Sequence, residues 1–217
     1  ICLVSSENGL AEKFGTPDPA TAEHFLTAAS FLKYGNALKV VRVVASDARN
    51  ASVGATELLI PNSTSYLAQA SSLSEGSHGE WLAKYPGVLG NALGVDVVTQ
   101  SISSSDFSSW QFSGEVDGIP ATSQNASDLG LTTNDELHVV VYDRTGALTG
   151  TPNQVLEVFQ FLSQASDAKS PEGNSLFYKD VINAQSEYIV WGAHDASGGG
   201  LNEAGQTLAG VTGGSFS

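Results

Sequence analysis

Histidine is the side chain that titrates nearest neutral pH, so the four histidines are the first candidates for chemistry. They are His24, His78, His138 and His194. His24 lies in a predicted helix with no histidine or carboxylate four residues on, so the H-E-x-x-H arrangement that binds zinc is absent. His138 alternates with valines and is expected to be a hydrogen-bonded residue on the face of a sheet. Neither residue predicts a catalytic or metal site.

The pair His194 and Asp195 is the most enzyme-like position in the sequence. It follows a predicted strand and precedes the three glycines 198–200. A hydrolase also needs an activated nucleophile, and the sequence has no G-x-S-x-G turn that would present a serine. We therefore interpret the pair as a loop at a strand end. A hydrolase that uses His194 and Asp195 is an alternative.

Three further patterns could bind a ligand or carry a modification. The glycines 198–200 lack the lysine of a phosphate-binding loop, and the carboxylates do not follow an EF-hand pattern. Asn50, Asn62 and Asn125 each begin an N-x-[ST] sequence, which would fit a secreted glycoprotein. Chance matches are expected in a chain so rich in Ser, Thr and Asn. We predict no catalytic, cofactor-binding or metal-binding residues, and no enzyme activity.

The charge, the apolar content and the cysteine count of the chain exclude several classes of protein. The 217 residues carry 23 acidic and 9 basic side chains, a net charge of −14. A strongly acidic surface disfavours binding to nucleic acid or to an anionic membrane, and no apolar stretch approaches the roughly 20 residues that span a bilayer. Cys2 is the single cysteine, so neither an intrachain disulfide nor a cysteine-based zinc site is expected. The opening ICLVSSENG has no signal-peptide features, and we expect a fragment or a processed piece.

The elements that must support any site are clearest in residues 1–45. Strand residues 1–4 precede a short helix capped by Ser5 or Ser6, and a second helix begins after Asp18 and Pro19 and stops at Gly35. The β-branched run 38–44 then predicts an inner strand covered on both faces. Strands joined through helices usually lie parallel, so we expect a parallel pair. We expect Phe25, Leu32, Val41 and Val43 to be buried.

The remainder predicts an α/β fold in which helices pack on mixed β-sheets in two-layer domains. Residues 46–80 are small and polar and are predicted to form a surface excursion or linker. Further strands are predicted at 93–99, 136–142, 155–162 and 187–193, with a helix following Ser175. Phe107, Trp110 and Phe112 are expected to pin a long Ser-rich loop, and residues 208–211 give a weak strand signal.

Several motifs are shared, in order, with one known family. They are a Phe-Gly-x-Pro turn (Phe14, Gly15, Pro17), a helix end with Phe31, Leu32, Tyr34, Gly35 and Asn36, and a Leu-x-Val-Val-Arg strand at 38–42. Lys84, Tyr85, Pro86, Gly87, Gly90 and Asn91 follow, then 93–98, 177–188 and the pair Gly213 and Gly214. This pattern resembles the core of contractile tail sheath proteins of T-even-type bacteriophages.

The resemblance implies a structural subunit of the virion tail, assembled in the host cytoplasm without cofactors. Many copies would polymerise around the tail tube, contact baseplate and tail terminator proteins, and contract to drive the tube through the host envelope. Residues 1–45 would belong to the inner core domain, 46–80 to a variable excursion, 81–194 to a middle α/β domain, and 195–217 to a Gly-rich return linker. No direct contact with nucleic acid or membrane is implied.

Two departures from the family and two further alternatives bear on this interpretation. The excursion at 46–80 is short where some relatives insert a β-domain, and the long C-terminal helical region of the family is missing from this sequence. The same motifs would suit the sheath of a non-phage contractile injection system. The Ser/Thr-rich loops, the three sequons and Trp110 would instead suit a secreted acidic adhesin or glycan-binding domain.

Overall fold

The chain has a small N-terminal unit, residues 2–45, followed by a larger body built around a four-stranded sheet. A computed structural model describes residues 2–99, 102–193, 203–206, 208 and 210–217. The N-terminal unit contains β1 (Cys2–Val4), α1 (Glu7–Phe14), α2 (Ala22–Leu32) and β2 (Leu38–Val40). The predicted order of strand, helix, helix and strand is confirmed.

The ends of both helices follow from local capping. The Ser6 hydroxyl accepts a hydrogen bond from the Gly9 amide, and Gly15 ends α1 with a φ of 79° that favours glycine. The Asp18 carboxylate accepts hydrogen bonds from the Ala20 and Thr21 amides at 2.9 and 2.8 Å. It therefore caps the turn that precedes α2, and the helix begins at Ala22 rather than directly after Pro19.

The predicted parallel pairing of the first two strands is wrong. β1 and β2 are antiparallel, with Cys2 opposite Val40 and Val4 opposite Leu38. A single helix between two strands returns the chain to its starting end and gives a parallel pair. Here two successive helices reverse the chain direction once more, so β2 enters the ladder from the opposite end.

The predicted inner strand and its burial are also wrong in part. β2 stops at Val40, and the side chains of Val41 and Val43 are 64% and 91% exposed. Phe25 and Leu32 are half-buried. The β-branched run was predicted to be covered on both faces, but β2 pairs with β1 alone among the described strands, so no second neighbour covers the valines.

The body is organised by the sheet β6-β5-β4-β8, in which every neighbouring pair is antiparallel. Its strands are β4 (Leu93–Thr99), β5 (Glu136–Asp143), β6 (Gln154–Ser163) and β8 (Gly214–Ser215). A two-stranded antiparallel sheet, β3 (Trp81–Ala83) with β7 (Ile189–Trp191), packs beside it. The predicted strands 93–99, 136–142 and 155–162 are confirmed to within one residue at each end, and 187–193 shortens to β7.

Helices cover these sheets, which confirms the predicted α/β combination. They are α3 (Ser63–Gln69), α4 (Glu75–His78), α5 (Ser104–Ser109), α6 (Gln124–Asp128) and α7 (Tyr178–Gln185). Short 3-10 turns occupy Ala70–Ser72, Val88–Ala92 and Ser113–Glu115. The main core consists of fully or nearly fully buried side chains from both sheets and α7, including Trp81, Val139, Val141, Tyr178, Ile182, Ile189 and Phe216.

Two polar segments are anchored by a few buried side chains. In residues 46–80, Ile60 and Tyr66 are buried, and the Tyr66 hydroxyl donates to the Trp191 carbonyl at 2.8 Å. In the Ser-rich segment, Phe107, Trp110, Phe112 and Tyr142 form a chain of ring contacts with successive centroids 6.0, 5.7 and 4.9 Å apart. The expectation that aromatic residues pin this segment is confirmed.

The C-terminal strand lies beyond the predicted position. Residues 208, 210 and 211 are not in a strand, whereas Gly214–Ser215 pair with β4, and Val211 and Phe216 are buried. A Cβ atom at Gly213 would lie 2.3 Å from the Val95 carbonyl oxygen, so only glycine permits this close approach. The short glycine-rich strand lacks the side chains from which sequence patterns recognise strands.

Candidate assembly surface

The candidate catalytic histidines do not come together with a nucleophile among the described residues. His24 is exposed on α2, as expected. His78 ends α4, and its Nδ1 accepts a hydrogen bond from the Ser74 amide at 3.2 Å, so it helps to close its own helix. His194, Asp195 and the glycines 198–200 lie outside the described residues. The described part of the chain also contains no group of three or more His, Cys, Asp or Glu residues that could hold a metal ion.

His138 is a hydrogen-bonded residue of the sheet, as predicted, and it is fully buried. Its Nδ1 accepts a hydrogen bond from the Phe161 amide at 3.0 Å, and its Nε2 lies 2.8 Å from the Gly118 carbonyl oxygen. An N–H donor on one side and a carbonyl acceptor on the other require the neutral tautomer with its proton on Nε2. Burial lowers the pKa of His138, which also favours the neutral ring.

Two buried aspartates are satisfied by the backbone of the loops that they hold. Asp143 accepts hydrogen bonds from the amides of Gly146, Leu148 and Thr149 at 2.8 to 2.9 Å, which orders the turn between β5 and β6. Asp135 accepts from the Ser123 amide at 2.9 Å and from the Ser163 hydroxyl. These carboxylates therefore position loops. Asp135 has no local sequence signal, because the groups it bonds lie 12 and 28 residues away in the chain.

Glu80 is a buried carboxyl that sequence reasoning missed. Its Oε2 accepts a hydrogen bond from the Thr212 amide at 2.6 Å, and the indole of the adjacent Trp81 donates to the Thr212 carbonyl at 2.8 Å. Burial raises the pKa of Glu80 to about 7. These two side chains hold the amide and the carbonyl of the same residue, Thr212, two residues before β8, and so attach the C-terminal segment to the body.

Two of the three sequon asparagines, Asn50 and Asn62, have structural roles in the fold. Asn50 is fully buried, and its side chain bonds to the main chain of Ile60 and Ala83. Asn62 caps α3 by accepting from the Ser65 amide at 2.9 Å. The Nδ2 atom of Asn125 in α6 is buried. Since a glycan requires an accessible side-chain nitrogen, the folded chain cannot carry one at Asn50 or at Asn125.

Large apolar side chains are exposed mainly on the N-terminal unit. Six of them constitute what we call the N-terminal apolar surface: Leu3, Leu26, Phe31, Tyr34, Val41 and Val43. Each is at least half exposed, and Tyr34 reaches 95%. Exposed apolar residues concentrated in one short segment are typical of surfaces that contact another chain.

The N-terminal unit is attached to the body by few polar contacts. The Arg42 guanidinium donates to the Pro86 carbonyl, and Lys13 lies 3.9 Å from Glu187 in an exposed ion pair. An open cleft of about 370 Å³ lies between α1 and the β5–β6 loop, lined by residues that include Glu12, Thr149 and Tyr188. The described residues thus combine an exposed apolar surface on a lightly attached unit with histidines that lack a neighbouring nucleophile.

Comparison with known proteins finds similarity to tail sheath proteins of bacteriophages. No protein-family model matches the chain. A tail sheath protein of Salmonella phage ViI is 29% identical over 186 residues, which is 83% of this chain and 26% of that protein. Tail sheath proteins of Vibrio phage KVP40 and Enterobacteria phage T4 are 50% and 48% identical over 52 and 53 residues, each 24% of this chain and 8% of the relative.

These matches agree with the resemblance seen in the motifs: the chain is similar to tail sheath proteins of three phages. It spans about a quarter of the length of the Salmonella phage protein. A tail sheath is part of the virion, so the predicted location agrees with these relatives. No helix among the described residues is long and apolar enough to cross a bilayer.

Proposed function

We propose that this chain is part of a structural subunit that polymerises around a phage tail tube. The chain is similar along 83% of its length to the tail sheath protein of Salmonella phage ViI, and this similarity supports the proposal most directly. The N-terminal apolar surface adds a physical reason for assembly, because burying such side chains between copies stabilises the contact by about 25 cal/mol per Å² of apolar area.

In this proposal the subunit works without catalysis. Many copies form rings or a helix around the tube, and the sheath contracts to drive the tube through the host envelope. The energy comes from a metastable extended lattice that relaxes to a contracted one with better interfaces. The tail tube, baseplate and terminator proteins are the further partners, and neither nucleic acid nor membrane is contacted directly.

The charge is distributed unevenly between the N-terminal unit and the rest of the chain. Residues 1–45 carry four acidic and four basic side chains, so the whole net charge of −14 lies in the remainder. Copies can approach through the neutral N-terminal unit without strong repulsion, whereas their acidic bodies repel at close range. We therefore place 1–45 at the inner lattice and 81–194 in an outward-facing domain, with 46–80 and 195–217 connecting them.

Electron microscopy of the purified full-length protein tests this proposal. Hollow tubes, or decoration of tail tubes by the protein, are the expected result. A protein that stays monomeric and never decorates a tail tube would contradict it. The relatives, all from phages, favour a phage sheath over that of an injection system, and capsid or effector genes beside the gene would separate these two.

A further inference from the structure

The ladder between β5 and β6 contains an irregularity with an unusual backbone. The register shifts between Leu137 and Val139, so that His138 has no paired residue on β6. Opposite this point Phe161 has a φ of 51°, in the left-handed region that non-glycine residues rarely adopt. Such a conformation is strained and persists only where neighbouring contacts hold it.

The ring of His138 provides those contacts. Its Nδ1 accepts the Phe161 amide hydrogen in place of a ladder carbonyl, and the two rings pack edge to face with centroids 4.6 Å apart. A doubly protonated ring would place an N–H donor against the Phe161 N–H donor, so this bond exists only in the neutral form.

The same ring holds a loop from a distant part of the sequence. Nε2 lies 2.8 Å from the Gly118 carbonyl oxygen, and the neighbouring Asp117 amide donates to the Gln160 side chain at 2.8 Å. The segment 116–119 is therefore held by two hydrogen bonds, one to Gln160 in the bulge and one to His138 on β5.

We propose that His138 is a proton-operated latch: a second proton binds at Nδ1, breaks the bond from the Phe161 amide and releases the Phe161 bulge, while the Nε2–H bond to the Gly118 carbonyl remains. This inference stands on the fold alone and does not depend on the sheath function. Neither the family nor the motifs assign a role to this residue. The latch opens as pH falls and stays closed above neutral pH.

The surroundings set the pH range. Burial lowers the pKa of His138, whereas the hydrogen bond to the Gly118 carbonyl and, after it, the nearby carboxylates of Glu136 on β5 and Asp117 in the loop raise it less. Val98 of β4 faces His138 in the ladder and is uncharged, as are Gln160 and Phe161 of β6. The open state binds the extra proton more readily, so opening increases as pH falls below about 6.5, by up to tenfold per pH unit.

Hydrogen–deuterium exchange of the full-length protein between pH 7.5 and 5 tests the latch, with rates corrected for intrinsic exchange. We expect the Phe161 amide, and the Asp117 amide that donates to Gln160 of the same bulge, to lose protection by about tenfold or more, while the β4–β5 amides change much less. His138→Asn keeps an oxygen acceptor near Nδ1 but cannot take up the proton, so its Phe161 amide should show no comparable loss. His24→Gln, on an exposed helix, is the matched control and should behave like the wild type.

The latch is refuted if wild-type protection at Phe161 does not change with pH, or if His138→Asn shows the same dependence. Should the variant fail to fold, ¹⁵N NMR of the wild-type protein decides. The His138 ring must then be the neutral Nε2-protonated tautomer at pH 7.5 and titrate with a pKa below the ordinary histidine value, and the Phe161 amide shift must follow the same midpoint. Independent titration of the two signals would overturn the proposal.

Discussion

The side chain of Asn50 and the main chain of Ile60 exchange two hydrogen bonds. Nδ2 donates to the Ile60 carbonyl at 3.2 Å, and Oδ1 accepts from the Ile60 amide at 2.6 Å. The same Nδ2 also donates to the Ala83 carbonyl at 2.8 Å. The side-chain amide of Asn50 thus replaces the main-chain hydrogen bonds of a strand. It joins Ile60, in the 46–80 segment, to Ala83 at the end of β3.

Replacing Asn50 by Ala should strongly destabilise the fold. The change leaves one buried donor and two buried acceptors without this partner, and each unsatisfied group costs about 1 to 3 kcal/mol. We expect a loss of about 3 kcal/mol or more in the free energy of unfolding, measured by urea denaturation. Asn62→Ala removes only the exposed cap of α3 and should cost about 1 kcal/mol. Equal losses in the two variants would contradict the role given to Asn50.

The hydroxyl of Tyr66 should anchor the 46–80 segment. Tyr66→Phe keeps the ring but removes the bonds to the Trp191 carbonyl and the Asn183 side chain. We expect a loss of about 1 to 2 kcal/mol and faster proteolytic cleavage within 62–79 than in the wild type. Leu67→Ala, on the exposed side of the same helix, is the control. Unchanged cleavage in Tyr66→Phe would show that the hydroxyl does not hold the segment.

Glu80 should make the fold less stable as pH rises from acidic to neutral. Its folded pKa of about 7 exceeds the ordinary value of 4.5, so between these pH values the folded state binds more protons than the unfolded state. The stability contributed by this proton is present below pH 4.5 and is lost as pH rises towards 7, by at most about 1.4 kcal/mol per pH unit.

Thermal melts of the wild type and Glu80→Gln at pH 5 and pH 8 measure this effect. Glutamine keeps an acceptor for the Thr212 amide but cannot ionise. Relative to the wild type, the variant should therefore gain stability on going from pH 5 to pH 8. Subtracting the wild-type change in stability from that of the variant removes the contribution of His138, because both proteins contain this residue. That contribution to the pH dependence of stability has the opposite sign. A constant difference between the two proteins at both pH values would refute the assignment.

Val43 should matter for assembly and not for the folded monomer. Because its side chain is 91% exposed, Val43→Lys should change the free energy of unfolding by less than about 0.5 kcal/mol. If the N-terminal apolar surface joins copies, the same variant should raise the protein concentration needed for assembly, measured by sedimentation. Val140→Ala is the control for a change that affects folding. Val140 is fully buried in β5, so this variant should lose about 2 kcal/mol in the free energy of unfolding. Unimpaired assembly of Val43→Lys would remove this surface from the lattice contact.

The sequence predicted those elements whose signals are local. Ser6 and Gly15 define α1 because a cap and a positive φ depend on one or two residues, and β4 and β5 are continuous apolar runs. The direction of β2 and the exposure of Val43 depend on which elements neighbour them, and no local pattern reports that. His24 and His138 were interpreted correctly from their positions. The structural roles of Glu80 and Asn50 were not predicted, because they depend on partners far along the chain.

The order β6-β5-β4-β8 also affects how the body reaches its folded state. β4 pairs with β5, about 40 residues later, and with β8, about 120 residues later, so much of the core depends on contacts distant in sequence. Domains of this kind fold in milliseconds to seconds, because chain entropy is lost before the pairing stabilises them. Until Gly214–Ser215 arrive, one side of β4 presents unpaired backbone groups to solvent and to other chains. The body is therefore most exposed to misassociation while it is being synthesised, before its last strand closes the sheet.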